Sequence, residues 1–88
     1  MKIKEDFVLK TVAGQSIVVP IGEAAITFNA MITLSESGKF LWENLLSDTT
    51  EEQLVAVLLD EYDVSEEVAR IDVSEFLNKM READLLDE

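Results

Sequence analysis

With no cysteine and no histidine among its 88 residues, this chain lacks the two side chains that most small enzymes use for chemistry. Disulfides, thiolate nucleophiles, iron–sulfur ligation, ordinary zinc sites and imidazole acid–base catalysis are therefore excluded. What remains is a surplus of acid, with 19 Asp and Glu against seven Lys and Arg. The run Asp60-Glu61-Tyr62-Asp63 has neither the alternating oxygen ligands nor the central glycine of a calcium loop, so it reads as a solvated turn. Glu51-Glu52 and Glu66-Glu67 fall in the first turns of predicted helices, where negative charge complements the macrodipole by roughly 0.3–1 kcal/mol each. A general acid–base pair needs two carboxylates in one cleft with one pKa raised, and no spacing here brings two together. Gly14, Gly22 and Gly38 are too scattered to cradle a phosphate. Trp42 shares a helical stripe with Leu41 and Leu45, which makes it a core residue rather than a ligand platform. The expectation is a protein with no catalytic residues, no metal and no cofactor.

The charge of -12 also narrows the partners. A field of that sign repels phosphates and anionic lipid headgroups, which argues against nucleic acid and membrane surfaces. Between Ser65 and Glu82 the third predicted helix carries five acids (Glu66, Glu67, Asp72, Glu75, Glu82) against Arg70, Lys79 and Arg81. That face is unsuited to a DNA groove. Residues 1–10 hold Glu5 and Asp6 and no apolar targeting segment, and no apolar run approaches the ~20 residues of a membrane span. A cytoplasmic location is expected.

Residues 7–34 are rich in Val, Ile, Thr and Phe, whereas 35–86 are rich in Leu, Glu and Ala at helical spacing, so strands precede helices. Residues 7–12 alternate as a half-buried strand, Ala13-Gly14-Gln15 supplies a turn, and 16–19 return as its partner. Pro20 and Gly22 break the chain. A further strand is predicted over 24–28, with Asn29-Ala30 as a tight connection to a strand at 31–34. Ser35 then caps a helix running to about Leu46. Thr49 and Glu52 fit the capping box of a second helix with Leu54, Val55, Leu58 and Tyr62 on one face. Ser65 opens the third, whose stripe is Ala69, Val73, Phe76, Leu77 and Met80, ending near Ala83. The fold class expected is α+β, a winged-helix-like single domain over 1–88, with three or four antiparallel N-terminal strands followed by three helices.

Two features are not used up by packing. Ile71 lies about 140° around its helix from Phe76, off the core stripe, with Val68 and Lys79 flanking the same side. A lone exposed aliphatic residue is also an ordinary feature of protein surfaces. In the strand at 31–34, Ile32 and Leu34 point inward and leave Met31 and Thr33 on the other face. An open sheet edge beside an amphipathic helix is the geometry by which folded domains capture an extended peptide. Which strand forms the edge is not fixed by the pattern.

The stretch Ile32-Thr33-Leu34-Ser35-Glu36-Ser37-Gly38-Lys39-Phe40-Leu41-Trp42-Glu43-Asn44-Leu45-Leu46, then Thr50-Glu51-Glu52-Gln53-Leu54, Glu61-Tyr62-Asp63-Val64, Asp72-Val73, Phe76-Leu77 and Leu85-Leu86, resembles the PqqD family, named for pyrroloquinoline quinone biosynthesis protein D. The resemblance spans about 7–87. It implies a RiPP recognition element, a small winged-helix-like adaptor that binds the leader of a ribosomally made precursor peptide and presents it to a modifying enzyme, frequently a radical S-adenosylmethionine enzyme. It implies further that the leader adds as a strand to the family's third strand and packs on its third helix. In this chain the peptide-binding residues so indicated are Met31, Ile32, Thr33, Leu34, Val68, Ile71, Asp72, Glu75 and Lys79. The chain departs from the family in having Ser35 where Asn is usual and Asp84 where Gly is usual. Ser caps a helix about as well as Asn, and Asp tolerates a left-handed helix-end position. A monomer or weak dimer is expected. The competing readings are an acidic acyl or peptidyl carrier, for which the required Asp-Ser-Leu attachment site is lacking, and a protein-binding regulatory winged helix.

Overall fold

The computed structural model describes residues 1–27 and 31–88. In chain order the elements are β1 (Lys2–Ile3), β2 (Phe7–Val12), β3 (Gln15–Pro20), a four-residue α1 (Ala24–Thr27), β4 (Ile32–Leu34), α2 (Glu36–Asn44), α3 (Glu51–Glu61), α4 (Glu66–Glu82) and β5 (Leu86–Asp87). This is the expected α+β order of antiparallel strands followed by three main helices. The strands form a sheet of order β2-β3-β4 and a separate β1-β5 pair.

The β2-β3 hairpin closes through Ala13 and Gly14, with Val12 opposite Gln15. Both loop residues have positive φ, 52° and 79°. Two left-handed residues in a two-residue loop match the right-handed twist of the flanking strands, which is why such turns favour Asn-Gly. Alanine at the first position works against its own steric preference. Ala13→Asn is therefore expected to stabilise the chain by about 1 kcal/mol, measured as a higher midpoint of denaturant unfolding; an unchanged or lower midpoint would contradict this reading of the turn.

The strand predicted over 24–28 is not formed: Ala24–Thr27 is a helical turn, and Phe28, Asn29 and Ala30, with the tight connection expected there, lie outside the described residues. β3 lies between β2 and β4, with Ser16, Ile17 and Val18 opposite Leu34, Thr33 and Ile32, and among the described residues no strand occupies the outer edge of β4, where the predicted hairpin would have paired. After Gly22, at φ 60°, the chain instead closes short bonds from Ala25 N to Gly22 O and from Ile26 N to Glu23 O, of 3.1 and 3.0 Å. A second difference is the β1-β5 pair, which the hydrophobic pattern did not predict because two-residue strands are too short to show alternation.

The helices begin where side chains satisfy their free N–H groups. Ser35 Oγ accepts from Gly38 N, and Ser65 Oγ from Val68 N. The box on α3 is shifted by one residue from the predicted Thr49–Glu52: Thr50 Oγ1 accepts from Gln53 N while Gln53 Oε1 accepts from Thr50 N. That shift releases Glu52, whose two carboxylate oxygens take both terminal nitrogens of Arg70 at 2.7 and 3.1 Å and tie α3 to α4. The guanidinium holds the Glu52 carboxyl below its ordinary pKa. At its other end α4 closes with Asp84 at φ 59°, Asp84 N bonding Arg81 O and Leu85 N bonding Met80 O. This is a Schellman ending, with the apolar pair Leu85 and Met80 buried beneath it. The core joins Leu41, Trp42 and Leu45 of the α2 region to Leu54 and Leu58 of α3, the whole predicted stripe of α4, and Val18, Ile32 and Leu34 of the sheet.

Candidate functional site: a groove between an open strand and a helix

The sheet order leaves β4 outermost, and among the described residues no strand pairs with its far side. β4 alternates as expected. Ile32 and Leu34 are each 7% exposed, Thr33 faces out, and Met31 just before it is 78% exposed. Burial of Ile32 and Leu34 fixes the strand's register, since a one-residue slip would turn both to solvent. The backbone beyond Thr33 is therefore held in place while its outer edge remains free for pairing.

Across from that edge stands α4. Between them lies a cleft of about 210 Å³, floored by Leu34, Leu41 and Phe76 and walled by Asp72, Glu75 and Lys79. The wall follows from helical spacing, because residues 72, 75, 76 and 79 share one side of a helix. Ser35, Ser37 and Gly38 close the end where β4 passes into α2. The approach at Gly38 is close: a Cβ would stand 3.3 Å from Ser35 Oγ and 3.4 Å from Leu34 Cβ, so a side chain there would press on the capping hydroxyl. Asp72 and Ser35 also border an adjoining cavity of about 350 Å³ lined by Leu58, Tyr62 and Val64. Tyr62 meets Phe40 edge to face, with centroids 5.7 Å apart.

Among the described residues, one polar contact spans the groove. Lys79 Nζ donates to Thr33 O at 3.3 Å. An extended residue directs its N–H and C=O to the same side, so Thr33 also turns its N–H toward α4. Neither Asp72 nor Glu75 forms an ion pair among the described residues.

Of the residues singled out in the sequence, the cleft brings together Leu34, Asp72, Glu75 and Lys79, and Thr33 joins them through its carbonyl alone, its side chain lying on the other face of the sheet. Ile32 lies beneath the strand, and Met31 precedes it at the surface. Val68 and Ile71 are 44% and 51% exposed on α4 but do not line the cleft; Ile71 sits about 100° around the helix from Asp72. The floor residues Leu41 and Phe76 were assigned only to the core, and Ser35, Ser37 and Gly38 only to the start of a helix. A signal for Phe76 was present in its spacing of four from Asp72 and three from Lys79.

Comparison with protein families finds a match to the family described as coenzyme PQQ synthesis protein D (PqqD) over residues 9–86. Comparison with curated proteins gives no match. Among solved structures, the fold is similar to that of TbiB1 in complex with the TbiA(beta) leader peptide, with a TM-score of 0.78 and 22% identity, covering 99% of this chain and 95% of that one.

Proposed function

The chain belongs to the PqqD family, and from that premise we propose that it is a non-catalytic adaptor that captures the leader segment of a ribosomally made precursor peptide by strand addition to β4. The observation that carries this reading is the free edge of β4 standing against α4 across a cleft with an apolar floor. An extended peptide entering there gains backbone bonds from the edge and side-chain contacts from the helix. The likeness to TbiB1 supports it, since that protein was solved with a leader peptide bound. In this reading residues 1–88 act as one peptide-recognition domain, cytoplasmic and monomeric or weakly dimeric. The domain presents its peptide to a modifying enzyme of the radical S-adenosylmethionine class, whose clusters supply chemistry that a chain without cysteine does not. Among the described residues no helix is long and apolar enough to cross a membrane.

The test is a titration of isotopically labelled protein with a synthetic leader from an adjacent small reading frame, followed amide by amide. Shifts are expected at 31–34 and along 68–79, concentrated at Thr33 and at the cleft side of α4. A folded protein whose amides stay still at saturating peptide, with and without the neighbouring modifying enzyme, would overturn the reading.

A further inference from the structure

Lys79 holds an unusual position for a helical lysine. Glu75 lies one turn before it, the favourable order for a Glu–Lys pair at i, i+4. Yet the ammonium makes no ion pair among the described residues and instead crosses the groove to Thr33 O. It thereby occupies the acceptor that an added strand needs. Lysine at an open edge is a recurrent guard against unwanted pairing. It is also the cation of a cleft whose other charged side chains, Asp72 and Glu75, are acidic, in a chain of net charge -12.

Resting on the peptide-capture reading above, we propose that Lys79 is the residue that sets the register of the bound peptide, by exchanging Thr33 O for a carboxylate on a peptide residue next to the one paired with Thr33, whose side chain turns to the α4 face as that of Leu34 does. The incoming backbone N–H takes the Thr33 carbonyl, and the displaced ammonium takes the peptide's Asp or Glu. Register needs such a device, because an open strand edge accepts pairings shifted by two residues with the same backbone bonds. A two-residue slip moves a side chain about 7 Å along the strand. Glu75 and Asp72 stand roughly 6 and 10 Å from Lys79 along the helix axis. A peptide carboxylate displaced by one such step toward Ser35 leaves the cation and meets acid. The substrate class is thus an extended peptide with an acidic residue at one fixed position in a segment otherwise neutral or basic.

The experiment uses a phage-displayed library of random peptides, selected in parallel on the wild-type chain and on Lys79→Glu. The wild type is expected to enrich Asp or Glu at one position of a common motif, and Lys79→Glu to enrich Lys or Arg at that same position with the apolar positions retained. An enriched peptide resynthesised with Gln in place of its Glu should bind the wild type about tenfold more weakly, and Lys79→Met, which keeps the stem and loses the charge, should abolish that difference. The same acidic residue selected by both chains would overturn the role of Lys79 and leave the groove standing. No peptide enriched by the wild type would instead remove the peptide-capture reading on which this inference rests.

Discussion

Replacing Thr33 by proline is expected to weaken peptide capture on the order of a hundredfold while leaving the fold in place. Thr33 is the middle residue of β4, and its carbonyl receives Lys79 from across the groove, so its N–H faces the open edge rather than β3. Proline deletes that donor and places its ring where an incoming strand must lie. Its fixed φ is compatible with an edge strand, and the native bonds to β3 made by the neighbouring residues are spared. A three-residue strand offers few outward backbone groups, so one lost donor plus a steric obstruction should weaken affinity on the order of a hundredfold. Calorimetric titration of wild type and Thr33→Pro with the same peptide measures this. Far-ultraviolet circular dichroism and thermal unfolding of the free variant establish that the helices and core persist. Undiminished binding by a folded Thr33→Pro chain would place the peptide elsewhere on the surface.

The second large effect concerns stability. Trp42→Ala should cost about 3–5 kcal/mol, a large part of what a domain of this size has in total. The indole is 1% exposed and belongs to the same buried cluster as Leu54 and Leu58 of α3, Val73 and Leu77 of α4, and Val18 of the sheet. Its removal leaves a cavity on the buried face of α2, the helix that packs against α3, α4 and β4, and such a cavity closes only in part. Urea unfolding followed by circular dichroism gives the difference directly. A loss below about 1 kcal/mol would mean that the ring is not the packing centre. The two variants separate the roles of neighbouring elements, since Trp42 supports the fold from beneath and Thr33 presents its edge.

Some of this was legible in the residues. The stripe Ala69, Val73, Phe76, Leu77 and Met80 predicts the buried face of α4 because helical periodicity repeats over many turns and few errors survive that averaging. The alternation of Ile32 and Leu34 against Met31 and Thr33 predicts the faces of β4 because a strand has only two sides. The caps at Ser35 and Ser65 are local, set by one hydroxyl and the N–H group three residues on. The capping box of α3 missed by one residue, because Thr49 and Thr50 offer the same hydroxyl and only the choice of Gln53 over Glu52 decides between them.

The element at 24–27 shows the limit of local reading. Its residues suit a strand as well as a short helical turn, and the hairpin expected with 31–34 is not formed: after Gly22 the chain takes short-range turn bonds, and among the described residues the outer edge of β4 carries no strand. The groove is of the same kind. Sequence alone determined the chemistry present, an acidic chain without imidazole or thiol, together with its strand-then-helix order and the faces of its long elements. The tertiary structure alone decided that β4 is the edge, that Asp72, Glu75 and Lys79 stand across from it, and that Ile71 does not line the cleft. Periodicity reports which side of an element is buried. Which two elements face one another across open space depends on how the buried sides are packed together, and that is a property of the whole chain.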